Sequence, residues 1–203
     1  MKKYLACVAF VLAFLSMVLA QSGGEKSQRA NPNGGQPFRL SSTTFTNGSK
    51  LPLIIILGSN NCPYVTGGGD QSPELSWTDA PWGTRSFVVT VFDTTASFTH
   101  WGMYNISPKT TELPQNAGIA GSTYGQQVFN DFFYGAEYDG PCPPNNVTPL
   151  VHNYVFTVYA LDTNLSLVSS PPNFPADAET LYRAMFDHVL QSTSIQGYFS
   201  SAN

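Results

Sequence analysis

Tyr138-Asp139-Gly140-Pro141-Cys142-Pro143-Pro144 runs shortly ahead of His152-Asn153-Tyr154, which heads an apolar alternating run reaching Leu161. The loop is stiff and bare: proline fixes φ and removes a backbone donor, while glycine lets another group approach the main chain closely. Val151 to Leu161 is β-branched and aromatic, as a strand requires, and residues two apart on a strand point to one face. His152 and Tyr154 therefore share a face just beyond a rigid loop, a plausible wall for a small anion pocket.

Working outward, Ser86 to Phe92 has the same strand character, and Leu51 to Leu57 is an isoleucine-rich run that predicts a buried strand. Turn-forming clusters at Gly67-Gly68-Gly69, Ala80-Pro81-Trp82-Gly83 and Pro143-Pro144-Asn145-Asn146 separate these runs. One helix is predicted late in the chain. Pro175 suits its first turn, Asp177 and Glu179 its positive end, and Leu181, Met185, His188 and Val189 recur at helical spacing. A β-sandwich with a C-terminal helix is the simplest architecture for this order of elements. The polar segment 107–135 carries little pattern.

At the start of the chain, Lys2 and Lys3 precede an apolar stretch from Leu5 to Leu15, and Val18-Leu19-Ala20 offers small residues for cleavage. These features predict a cleavable signal peptide over 1–20 and a secreted or periplasmic destination, with an uncleaved anchor as the alternative. Residues 21–36 read as a flexible polar leader, and 37–203 as one domain. Removing Lys2 and Lys3 leaves seven basic against thirteen acidic residues, a net charge of −6. That balance argues against nucleic acid and against electrostatic docking on anionic membranes. In an oxidising compartment the two remaining cysteines, Cys62 and Cys142, are expected to pair, with two separate buried thiols as the alternative. Neither has a C-x-x-C partner, so a metal site is poorly supported and none is expected.

Asp93 closes the strand 86–92, and His100 opens the next, Trp101 to Ile106. A hairpin over Thr94 to Thr99 sets both at one end of the sheet, where the carboxylate would orient the imidazole. Each residue also has a plainer reading. Asp93 caps turns well, His100 and His152 suit strand ends, Tyr154 alternates with core residues, and His188 reads as structural.

The order of Ser72-Pro73-Glu74-Leu75-Ser76-Trp77, Ser86 to Asp93, His100-Trp101, Asn105-Ile106, Gly140 to Pro144, His152-Asn153-Tyr154 and Tyr159-Ala160-Leu161 resembles the phosphatidylethanolamine-binding protein family. The resemblance spans about residues 38–199 and is closest to the bacterial Raf-kinase-inhibitor-like branch, including exported members. His188-Val189-Leu190 and Gly197-Tyr198 add to it. It implies a two-sheet antiparallel β-sandwich with a small anion pocket. By the same resemblance, that pocket is lined by Asp93, by His100 before its aromatic neighbour, by Gly140 and Cys142 of the G-P-x-P-P loop, and by His152 and Tyr154 of H-x-Y. Exported relatives often carry cysteines placed like Cys62 and Cys142, in agreement with a disulfide. One departure stands out. Where the family usually has D-P-D-A-P, this chain reads Asp93-Thr94-Thr95-Ala96-Ser97, without either proline or the second acid.

The leading expectation is an exported, non-enzymatic binding protein, without cofactor or metal, for phosphate-bearing head groups such as phosphoethanolamine. The alternative is an interaction module that inhibits or modulates a protease or another signalling partner. A hydrolase ranks below both. No G-x-S-x-G elbow is present, and Gly121-Ser122-Thr123-Tyr124-Gly125 has its serine misplaced, although His100, His152 and Asp93 resemble a two-histidine, one-carboxylate metal set. Asn-x-Ser/Thr sequons occur at Asn47, Asn105, Asn146 and Asn164, the one at Asn105 falling inside a predicted strand.

Overall fold

The computed structural model describes residues 36–132, 135–168 and 175–202; the expected signal peptide and nearly all of the expected leader lie outside the described residues. Among the described residues the strands are β1 (Arg39–Ser41), β2 (Ser49–Lys50), β3 (Leu75–Thr78), β4 (Ser86–Asp93), β5 (Phe98–Ile106), β6 (Glu112–Leu113), β7 (Gln126–Gln127), β8 (His152–Leu161) and β9 (Val189–Phe199). One α-helix, α1 (Ala178–Met185), precedes β9. The strands form a three-stranded sheet, β1-β3-β6, and a six-stranded sheet, β2-β9-β8-β4-β5-β7. The architecture is the mainly β, two-sheet sandwich with a C-terminal helix that the sequence predicts.

β4 lies between β8 and β5, and every one of its residues is buried. A strand covered on both faces reads as a continuous apolar run rather than an alternation. Phe87, Val89 and Val91 belong to the core between the sheets. There Trp77 of β3 meets Phe87 edge-on at 5.2 Å, and Phe45 packs on Phe156 of β8 at 4.9 Å. Full burial of one such aromatic side chain is worth ~2–3 kcal/mol. At Gly102 of β5, an added Cβ would lie 2.9 Å from Leu181 of α1 and 2.6 Å from Val128, so glycine lets the helix and the β7 segment close on the strand.

Two expectations change. Leu51 to Leu57 is not a sheet strand: Leu53–Ile55 forms a 3-10 turn with Leu53 and Ile54 exposed, and Ile55, Ile56 and Leu57 are buried in irregular backbone. Its main-chain groups are taken by neighbouring loops, with Gly69 N donating to Leu53 O, Asp70 N to Ile56 O and Leu57 N to Pro141 O. The helix is also shorter than its periodicity suggests. Asp177 is the N-cap, accepting from Thr180 N at 2.8 Å, so Pro175 lies before the first turn rather than in it. Beyond Met185 the chain tightens to a 3-10 turn at Phe186–His188, and Val189 opens β9. Asp162 N donates to His188 O and the two side chains meet at 2.9 Å, pulling the chain off the helix and onto the end of β8. Asn105 lies inside β5, in keeping with the expected strand, and is structural: at a φ of 55° its carboxamide donates to Leu165 O and accepts from Leu165 N.

Cys62 and Cys142 are disulfide-bonded with their Cα atoms 5.8 Å apart, which removes the two-thiol alternative. The bond closes a loop spanning a sequence separation of 80 residues. Replacing both cysteines by serine is expected to lower the unfolding free energy by ~4 kcal/mol. Denaturant melts of the double variant beside the parent check this, and superimposed midpoints would contradict it.

Candidate functional site

The candidate residues gather at one end of the six-stranded sheet. Asp93 ends β4 opposite Tyr154 of β8 and Phe98 of β5. Its Oδ2 accepts from His152 Nδ1 at 2.6 Å, and its Oδ1 accepts from Thr95 N and Ala96 N at 2.8 and 3.1 Å. Asp93 is thus both a turn cap and the group that orients an imidazole. The imidazole is that of His152, not His100, which corrects the expected pairing. The turn after Asp93 lacks prolines, but Thr94 N donates to Asn153 O at 2.9 Å and Thr95 Oγ1 accepts from Asn153 N at 3.0 Å. Two threonines therefore tie this turn to β8 with ordinary hydrogen bonds.

His100 is placed by a β-bulge. Val91 pairs with Trp101 and Phe92 with Thr99, so His100 is the extra residue on β5. Strict alternation would send His100 and Trp101 to opposite faces. Here both are buried: His100 packs edge-on against Tyr154 at 5.3 Å, and Trp101 against Tyr138 at 5.8 Å. His100 Nδ1 lies 2.8 Å from Asp139 O, and Asp139 N donates to His100 O at 3.2 Å. A carbonyl only accepts, so Nδ1 carries the proton and Nε2 of the neutral ring is an acceptor. Burial drives the His100 pKa down to about 4, against the opposing pull of the Asp139 carbonyl and the Asp93 charge. The ring is therefore neutral at pH 7.

Tyr154 is fully buried. Burial and the neighbouring Asp93 carboxylate raise its pKa; Asp93 is the nearest partner of its hydroxyl, although the contact falls short of full hydrogen-bonding geometry. Phe98 and Phe132 line the other side of His100, with ring centroids 5.0 and 5.4 Å away.

Gly140 and Cys142 serve the site differently from the expectation. The group that comes close to Gly140 is the chain's own backbone: an added Cβ would lie 2.4 Å from Ile55 O and 2.6 Å from Leu57 N. Its N–H, expected to face a ligand, donates to Asp70 Oδ1 at 2.8 Å. Cys142 is half-buried and its sulfur is bonded to Cys62, so no thiol is available there. His188 lies on Asp162, apart from these residues. Among the described residues no group of three or more His, Cys, Asp or Glu is arranged to hold a metal ion.

Sequence reasoning missed a supporting layer. Asp139 accepts from Asn130 Nδ2 at 2.5 Å, and its pKa rises to about 6 through burial and, secondarily, repulsion from Asp70 and Glu137. Asp131 Oδ2 accepts from Thr99 N at 2.7 Å, beside His100. Asn130 and Asp131 fall in the pattern-poor segment 107–135, where no local signal distinguishes them.

A family model described as phosphatidylethanolamine-binding protein matches residues 41–200. YbhB of Escherichia coli strain K12 is 37% identical over 169 residues, covering 80% of this chain and 100% of its own. YbcL of the same strain is 36% identical over 141 residues, covering 66% of this chain and 73% of its own. The crystal structure of YbcL, described as a new member of the mammalian PEBP family, superposes with a TM-score of 0.68 at 29% identity, covering 81% of this chain and 99% of that one. A putative phosphatidylethanolamine-binding protein homologue from Chlamydia trachomatis gives 0.64 at 27% identity, covering 82% and 99%.

The raised Asp139 pKa fixes the sign of one prediction. A carboxyl that holds its proton to about pH 6 in the fold favours folding at low pH and loses that contribution as pH rises through 6. Asp139→Asn keeps an acceptor for Asn130 and is expected to stabilise the protein at pH 7.5 by ~1 kcal/mol after solvent screening. The gain should vanish below about pH 4, where an unfolded aspartate is also protonated. Thermal melts at the two pH values check it, and an equal gain at both would contradict the assignment.

Proposed function

The chain belongs to the phosphatidylethanolamine-binding protein family, and from that premise we propose that it is an exported binding protein whose site takes a phosphate monoester or a comparable small oxyanion. Family membership supports a binding-type protein. The observation that carries the finer reading is the convergence of His100, His152, Asp93 and Tyr154 at one sheet end.

The tautomer of His100 sets the form of the ligand. With Nδ1–H committed to Asp139 O, Nε2 can only accept unless the ring takes up a proton. A monoprotonated phosphate ester brings that proton as P–O–H; a dianion requires His100 to be protonated from solvent. Either route couples binding to one proton, and phosphate esters lose theirs near pH ~6. Binding is therefore strongest at mildly acid pH. The acid lost after Asp93 leaves no second carboxylate in Thr94 to Ser97 to meet an ammonium group, so plain phosphate competes with phosphoethanolamine. A destination outside the cytosol is part of this reading, supported by the disulfide and the leading apolar stretch.

Calorimetric titration of the mature chain with inorganic phosphate, phosphoethanolamine and acetate tests the proposal, with His152→Ala beside it. Saturable phosphate binding is expected, with loss of at least tenfold in affinity in the variant and weakening from pH 5.5 to 8. Repeating the titration in buffers of different ionisation heat should show uptake of about one proton above pH 6. Affinity that stays flat over this range, or binding unchanged in His152→Ala, sinks the reading.

A further inference from the structure

Asn130 is completely buried, and its carboxamide is fully engaged. Nδ2 donates to Glu137 O at 3.0 Å and to Asp139 Oδ2 at 2.5 Å, while Oδ1 accepts from Phe132 N at 2.9 Å. One side chain thus cross-links segment 130–132 to segment 137–139. Both segments reach β5 at adjacent residues. Asp131 N donates to Thr99 O at 3.0 Å and Asp131 Oδ2 accepts from Thr99 N at 2.7 Å. On the other arm, Asp139 exchanges its N–H and C=O with the carbonyl and ring of His100.

We propose that Asn130 is a positioning residue that locks the bulge at Thr99 and His100 and thereby fixes which ring nitrogen of His100 is presented to a ligand. Two donor bonds and one acceptor bond in so small a space call for a carboxamide. An aspartate there would set acceptors against Glu137 O and the Asp139 carboxylate. A bulge in a strand has no ladder of its own to hold the extra residue. Without the link, residue 139 is held only through its neighbours Tyr138 and Gly140 and its own bonds to His100, so the carbonyl that selects Nδ1–H is set less firmly against the ring.

The charged surroundings agree with this account. Across the site His100 meets the Asp93 charge and His152, with the Tyr154 ring on one side. Asp139 faces Asp70 and Glu137, and Asp131 faces Asp177. These carboxylates repel one another along the two segments, so the neutral amide of Asn130 is what can join them without adding charge. The effect on the histidine stands alone; only the effect on anion affinity rests on the proposed function.

Nitrogen-resolved NMR of the imidazoles, followed from pH 3.5 to 8 in the mature protein without ligand, tests the proposal. In the parent chain His100 is expected as a single Nδ1–H tautomer at neutral pH, titrating near 4. In Asn130→Ala the tautomers should mix and, without the Asp139 carbonyl that favours the charged ring, the midpoint should move below that of the parent, while the signals of His188, held by Asp162, stay unchanged. Asn130→Ser, which keeps one donor, should fall between the two and covers the case in which the alanine variant does not fold. Phosphate affinity should fall in the same order, by about tenfold in Asn130→Ala. A parent His100 in the Nε2–H tautomer overturns the inference at once. So does a folded Asn130→Ala or Asn130→Ser in which His100 titrates as in the parent. Shifts in His100 without phosphate binding by the parent would uphold this inference and overturn only the anion reading.

Discussion

The contact on which the rest depends is main chain against main chain, where Gly140 lies on the backbone of Ile55 to Leu57 with no room for a Cβ. Tyr138 O–H donates to Ile55 O at 2.6 Å and Leu57 N donates to Pro141 O at 3.1 Å, so the contact is stitched on both sides of the glycine. One residue further on, Cys142 is bonded to Cys62. From the opposite side Gly68 presses on Leu57 O, an added Cβ there coming to 2.1 Å. Residues 55–57 are thus held between two glycine-bearing loops. Asp139, inside the same stitched segment, is the residue whose carbonyl orients His100. The histidine therefore inherits its position from the core through a rigid loop, as a preorganised binding group needs.

Electrostatics pull on that loop in two directions. Neutral His100 has its pKa lowered by burial, so the fold loses stability as pH falls from ~6.5 towards 4, where only the unfolded ring is fully charged. Asp139 has its pKa raised, so its ionisation weakens the fold as pH rises from ~3.8 through 6. The two residues share a pair of hydrogen bonds, one main-chain and one from the His100 ring, and their side chains titrate over nearly the same window with opposite effects. Acidification that charges His100 also relieves the repulsion around Asp139, Asp70 and Glu137.

Legibility in the sequence followed the range of the interactions. Ser86 to Phe92 and Val151 to Leu161 read correctly because strand propensity and burial point the same way there. Leu51 to Leu57 misled because an apolar run reports burial alone, and the hydrogen bonds that decide its conformation come from residues 69–71 and 141. The helix periodicity through Val189 was overridden by β9, whose uncharged alternation is faint and whose pairing partner β8 lies far back in the chain. At the site, the residue types were readable and their partners were not. Asp93 was expected to face His100 and faces His152; Asn130 lies in a stretch with no pattern at all.

By itself the sequence determined the strand-rich class of the fold, the family resemblance, the pairing expectation for Cys62 and Cys142, and the residue types gathered at the candidate site. Those are properties of local composition, period and ordered motifs. The tertiary structure alone decided that His100 is the extra residue of a bulge, that its Nδ1 is committed to Asp139, and that the N–H of Gly140 is spent on Asp70. It also decided that a buried amide from segment 107–135 joins the two arms holding that histidine. The physical reason is that a bulge, a tautomer and a buried hydrogen-bond partner depend on which distant backbone groups arrive at a point, and no local period records that.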